Sequence, residues 1–128
     1  MDPQQRLLLE QGYLGLHASG LERQTVDGGL TGVFVGIMAG DFADMFCDLP
    51  TSVYSATGSG HAVASGRISF ALGLHGPCAS YDTACSASLV AGHVACRAGQ
   101  LNECTSGLLL GVNLILLPRK CRTMLLLA

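Results

Sequence analysis

Residues 31–38 read Thr-Gly-Val-Phe-Val-Gly-Ile-Met, a short run of β-branched and aromatic residues without a charge. Such a run reads as a strand. A strand that is apolar at successive positions, rather than at alternate ones, has both of its faces covered. Residues 107–116 form a second buried strand by the same reasoning, Leu-rich and ended by Pro118. Residues 79–83 are a plausible third. Helix-like segments lie before and between them, so the order is helix, strand, helix, strand, helix, strand. That order predicts an α/β fold with a buried sheet.

The helical segments have local signals. Asp2 can cap a helix and Pro3 suits its first position. Residues 4–17 carry leucines at 7, 8, 9, 14 and 16, enough for an apolar stripe, although Gly12 and Gly15 weaken its second half. Residues 20–29 read as a polar connection. Residues 41–46 predict one or two helical turns, stopped by Pro50. Residues 60–72 have small and apolar residues at helical spacing, with Arg67 as their one charge. Gly76-Pro77 marks a turn. Residues 86–98 are small or apolar on almost every side, which predicts a buried helix. Residues 99–103 are a turn.

Composition excludes several functions. The 128 residues are 49% hydrophobic and 12% charged, with a net charge of −2 and no Trp. There is no basic patch or aromatic ladder, so nucleic acid is not an expected partner. A chain this apolar and this short is expected to bury more surface than it can cover alone, as a fragment, a subunit interface, or both. The longest apolar stretch, residues 108–117, is interrupted by Asn113 and too short to span a bilayer. No secretory signal opens the chain. The six cysteines, at 47, 78, 85, 96, 104 and 121, include no C-x-x-C pair. No metal site is therefore expected. Reduced thiols and a cytoplasmic location are expected, with a plastid as the alternative compartment.

Cys85 stands apart from the other five cysteines. It lies in Asp82-Thr83-Ala84-Cys85-Ser86-Ala87-Ser88-Leu89, where a strand-like run meets a helix-like one. A thiol there lies at a helix N-terminus, whose unpaired N–H groups favour negative charge and make a better nucleophile. The same donors could stabilise the oxyanion of a tetrahedral intermediate. The small residues at 84, 86, 87 and 88 would let the backbone approach a bulky acyl group. These features suit acyl transfer through a thioester. On local grounds alone, the structural reading is the commoner one, since a lone buried cysteine is more often structural than catalytic.

Six segments carry a resemblance: Met1-Asp2-Pro3-Gln4-Gln5-Arg6-Leu7-Leu8-Leu9-Glu10, Thr31-Gly32-Val33-Phe34-Val35-Gly36, Ser65-Gly66-Arg67-Ile68-Ser69-Phe70, Gly73-Leu74-His75-Gly76-Pro77, Asp82-Thr83-Ala84-Cys85-Ser86-Ala87-Ser88-Leu89-Val90-Ala91 and Gly111-Val112-Asn113-Leu114-Ile115-Leu116. In this order and spacing, the chain resembles the β-ketoacyl synthase (ketosynthase) domain of type I polyketide and fatty acid synthases. The resemblance covers residues 1–118, and residues 119–128 form a divergent tail. It implies a thiolase-like fold of layered αβαβα type, with about one half represented here. It also implies a homodimer in the complete domain and acyl carrier protein as partner. Cys85 would accept an acyl group from a phosphopantetheine thioester, and its backbone N–H would be one oxyanion-hole donor. The acyl-enzyme would then condense with a malonyl-type extender on acyl carrier protein, losing carbon dioxide. No bound cofactor is implied, since substrates ride on the phosphopantetheine of the carrier.

Other features depart from the family or carry no chemistry. The family uses two further histidines, in His-Gly-Thr-Gly-Thr-like and Asn-x-Gly-His-like segments that this sequence does not contain. His17 reads as a solvated helix end, and His61 and His75 as loop or turn residues. His93 lies two turns along the nucleophile helix, about 12 Å from Cys85 by helical rise, too far to be its base. The usual Trp is missing from residues 11–19, and the strand expected before Asp2 is absent. The chain therefore reads as the nucleophile half without the decarboxylation half. Arg67 is assigned to structural pairing with Asp82 or Asp41 rather than to contact with a carrier protein or substrate. Cys96 is assigned to the core, and Thr83 and Ser86 to shaping the turn. Gly58-Ser59-Gly60 is not a dinucleotide fingerprint, because position 63 is Val. Two alternatives to a working ketosynthase remain: a catalytically inactive remnant or interaction module, and a thiolase-family condensing enzyme that uses coenzyme A thioesters.

Overall fold

A computed structural model describes residues 1–21, 27–38, 40–45 and 52–118. Part of the polar connection at 20–29, Phe46, Cys47, Pro50, Cys121 and the tail at 119–128 lie outside the described residues. The elements are α1 (Pro3–Ala18), β1 (Thr31–Met38), α2 (Asp41–Met45), α3 (Ser55–Ser59), α4 (His61–Leu72), β2 (Cys78–Tyr81), a 3₁₀ turn (Ala84–Ser86), α5 (Ala87–Gln100) and β3 (Ser106–Asn113). The three strands form one parallel sheet in the order β2-β1-β3. The chain passes from β1 to β2 through α4, and from β2 to β3 through α5.

Helix α1 begins as its sequence signals. Asp2 is the N-cap, its Oδ1 accepts the Gln4 N–H at 2.8 Å, and Pro3 takes the first position. On its exposed face, Arg6 donates to Glu10 at 2.7 Å, which raises the guanidinium above its ordinary value. Helix α4 starts after Gly60 and stops at Gly73, whose φ of +68° is the left-handed conformation that ends helices. The Leu74 N–H then bonds the Ser69 carbonyl at 2.9 Å, and the Ser69 hydroxyl returns to the Leu74 carbonyl at 2.8 Å.

The two faces of the sheet carry different side chains. Val33, Val35 and Ile37 of β1 pack with Leu8 and Leu16 of α1 and with Ala64, Ile68 and Leu72 of α4. Phe34 points the other way, into a smaller cluster with Ala91 and Ala98 of α5 and with Cys104. A helical layer therefore covers β1 on each side, as its unbroken apolar run predicts.

Several local expectations are corrected. Strand β2 ends at Tyr81 rather than Thr83, because Asp82 Oδ1 accepts the Ala84 N–H at 3.2 Å and turns the chain. Strand β3 ends at Asn113 rather than at residue 116. Beyond it, side chains take the backbone donors: Gln4 Oε1 accepts from Leu114 N at 3.1 Å, and Asp41 Oδ2 from Leu116 N and Leu117 N at 2.9 and 3.0 Å. Strand β3 is also half-open rather than buried, since it lies at the edge of the described sheet and leaves Leu109 exposed. Helix α5 buries only Ala87, Ala91 and Ala98. Those three positions share the face toward the sheet. Leu89 and Cys96 point away from it, so Leu89 is 78% exposed and Cys96 is exposed, not core.

Candidate active site

Strand β2 delivers the chain to the site. Its last residue, Tyr81, pairs with Gly36 of β1, and Gly36 pairs in turn with Gly111 of β3. This row crosses the sheet near the carboxyl ends of its strands, where open α/β folds place their ligands. The chain then turns through Asp82 and Thr83 into the 3₁₀ turn that contains Cys85.

The turn is built from short-range polar contacts. Asp82 accepts from Ala84 N at 3.2 Å. Ser86 Oγ donates to the Thr83 carbonyl at 2.8 Å and lies 3.1 Å from Thr83 Oγ1, while Ser86 N–H reaches the same carbonyl at 3.3 Å. Thr83 and Ser86 thus shape the turn, as the sequence suggests. The N–H of Ala87 bonds the Ala84 carbonyl. These bonds commit the N–H groups of Ala84, Ser86 and Ala87 and leave that of Cys85 outside them. No side chain caps α5 at Ser86. Ala84 holds φ at +56°, a strained value for a residue with a Cβ, at a cost of about 1–3 kcal/mol. The strained residue directly precedes an exposed thiol.

Two glycines, to which the sequence analysis gave no role at the site, set how this turn sits. A Cβ on Gly36 would stand 2.5 Å from Ser88 N, 2.6 Å from Ser88 Cα and 2.7 Å from the Ala87 carbonyl carbon. A Cβ on Gly111 would collide with Ser88 Oγ and stand 3.1 Å from Ser88 Cβ. The first turn of α5 therefore rests directly on the backbone of two strands. The signal was present as Gly-x-x-x-Gly in each strand, at Gly32 and Gly36 and at Gly107 and Gly111. The strand period of two puts each pair on one face, and the pairs align in register.

The remaining candidates are not brought to this turn. His17 stacks on Tyr13 with ring centroids 6.3 Å apart. His61 opens α4, and His75 is exposed in the loop before β2. His93 is exposed on α5. Arg67 pairs with neither Asp82 nor Asp41. Its guanidinium donates to the Thr57 carbonyl at 2.9 Å and to the Met1 sulfur at 3.4 Å, which ties α4 to the start of α1. The two aspartates are committed to backbone N–H groups of their own. Nearby, Asp2 N donates to the Gly58 carbonyl at 2.7 Å and Gln5 Nε2 to the Gly60 carbonyl at 3.0 Å. The Asp-Pro-Gln-Gln segment is thus a structural clamp. Among the described residues, no group of three or more His, Cys, Asp or Glu could hold a metal ion, and no helix is long and apolar enough to cross a membrane.

A parallel sheet layered by helices, with a thiol on a strained turn between a strand and a helix, is part of a thiolase-like fold. The family model for the β-ketoacyl synthase N-terminal domain matches residues 1–125, and the chain belongs to that family. A ketosynthase from module 6 of the bacillaene synthase of Bacillus subtilis 168 superposes with a TM-score of 0.86 at 35% identity, over 99% of this chain and 21% of that one. The KS7 ketosynthase domain of the Streptomyces albus oxazolomycin system superposes with a TM-score of 0.82 at 32% identity, over 96% of this chain and 22% of that one. Among curated proteins, a highly reducing polyketide synthase from Cryptosporiopsis is 44% identical over 92% of this chain. The phthioceranic/hydroxyphthioceranic acid synthase of Mycobacterium tuberculosis is 43% identical over 94% of it. The chain spans only 5% and 6% of the length of these two synthases.

Proposed function

We propose that this chain is the acyl-accepting portion of a polyketide synthase ketosynthase, with Cys85 as the nucleophile. The observation that carries this reading is the exposed Cys85 thiol between the end of β2 and the uncapped start of α5, directly after the strained Ala84. The Cys85 thiolate attacks the thioester carbonyl of an acyl group carried on phosphopantetheine. A new carbon–sulfur bond forms, and the tetrahedral oxyanion is stabilised by the backbone N–H of Cys85. The old carbon–sulfur bond then breaks, and the phosphopantetheine thiol leaves with a proton. In the complete domain, the acyl-enzyme condenses with a malonyl-type extender on acyl carrier protein, with loss of carbon dioxide. Acyl carrier protein is the partner, and the complete domain is a homodimer.

The experiment is acylation of the chain with hexanoyl-N-acetylcysteamine, a phosphopantetheine mimic, with the adduct mapped by mass spectrometry. The expected adduct lies on Cys85 and is lost in Cys85→Ala. An adduct of undiminished yield in Cys85→Ala would overturn the assignment.

A further inference from the structure

The glycine seat under α5 goes further, resting on the reading of Cys85 as acyl acceptor. Helix α5 does not lie equally deep along its length. At its first turn the nearest helix atoms to Gly36 are backbone atoms of Ser88 and Ala87. Two pleats back along β3, a Cβ on Gly107 would meet only the Phe34 ring at 3.6 Å and Ala95 Cβ at 3.9 Å, which is ordinary contact. The helix thus dips toward the sheet at the end that carries the thiol. The two contacts of the seat also differ in kind. Gly36 opposes the backbone at Ser88, which no side-chain replacement can shorten, whereas Gly111 opposes the Ser88 side chain.

We propose that Gly36 and Gly111 are paired positioning residues that set the depth of the α5 N-terminus through Ser88, and thereby the rate at which Cys85 is acylated. A methyl group at Gly36 must lift the Ser88 backbone and, with it, the turn three residues earlier, whereas one at Gly111 must turn the Ser88 hydroxyl aside and press on Ser88 Cβ, a smaller displacement. Displacing a reacting group by about 1 Å costs on the order of 100-fold in rate. A methyl at Gly107 lifts nothing.

The test uses the full chain with hexanoyl-N-acetylcysteamine as acyl donor and iodoacetamide as a second probe, both mapped residue by residue. Gly36→Ala is expected to slow acylation of Cys85 by about 10- to 100-fold, and Gly111→Ala by less, about 3- to 10-fold. Gly107→Ala, on the same face of the same sheet, is expected to match the wild type. Iodoacetamide labelling of the exposed Cys96, farther along α5, is expected to stay constant in all three variants. Ser88→Gly is expected to restore Gly111→Ala to the rate of Ser88→Gly alone, but not to restore Gly36→Ala. New labelling of the buried Cys104 reports unfolding. If it appears in Gly36→Ala, the comparison of Gly111→Ala with and without Ser88→Gly decides the matter. Undiminished Cys85 acylation in both single glycine variants overturns the seat, as does equal rescue of both by Ser88→Gly. Absence of any Cys85 adduct in the wild type overturns the acyl-acceptor reading itself.

Discussion

The two faces of β1 solve opposite problems within eight residues. Toward α1 and α4 the strand presents Val33, Val35 and Ile37, each with none of its surface exposed. Toward α5 it presents Gly32, Phe34 and Gly36, and only Phe34 contributes a side chain. The first face fills space, and burial of its branched side chains stabilises the fold by about 1.5–3 kcal/mol for each residue. The second face removes volume, so that the backbone of α5 reaches the backbone of the sheet at Ser88. The first face is expected to tolerate a lost methyl group better than the second tolerates an added one. Stability and placement of the thiol are thus assigned to different sides of one strand.

The strongest challenge to that division is Phe34→Ala. Phe34 is the β1 side chain in the cluster with α5, and a Cβ on Gly32 would stand 2.6 Å from its ring. Its removal is expected to destabilise the chain by about 3–5 kcal/mol, read from the urea midpoint. A loss below about 1 kcal/mol would show that α5 is held by its first turn alone.

A smaller effect is expected at the clamp that joins α1 to the loop before α4. Asp2→Ala removes the N-cap acceptor of Gln4 N–H and is expected to cost about 0.5–2 kcal/mol by thermal melting. Its effect on Cys85 acylation should be confined to that loss of folded protein.

The smallest effect sharpens the comparison most directly. Ile37→Val removes one methylene from the filled face and is expected to cost about 0.5–1.5 kcal/mol. Labelling of Cys85 should not change in this variant. If Ile37→Val slows Cys85 as much as Gly36→Ala does, the two faces are not independent and the division fails.

Much of this was readable before any coordinates. Strand β1 occupies residues 31–38 as its β-branched run predicts, and α1 starts at the cap and proline that announce it. Cys85 falls at the strand-to-helix junction, because Asp82, Thr83 and Ser86 encode that turn through contacts a few residues apart. The departures from the sequence reading have separate physical causes. The small residues of α5 predict burial all round, but small residues also allow close approach on one side while the other stays open. Cys96 lies on that open side. Its lone charge suggests a carboxylate partner for Arg67, whereas the chain brings the Thr57 carbonyl within reach. Strand β3 stops short of residue 116 because Gln4 and Asp41, remote in sequence, take the donors that would have continued it.

The sequence by itself determined the α/β order of elements, the family, and a thiol at a strand–helix junction. The order and the junction rest on periodicity, capping and turn chemistry among near neighbours, and the family on a resemblance carried by six motifs in order. Only the tertiary structure decided that Gly36 and Gly111 stand side by side beneath Ser88, and that one face of α5 stays open. These are relations between residues dozens of positions apart. They are fixed by the register of a parallel sheet and the depth of a helix upon it, which neither strand nor helix encodes alone.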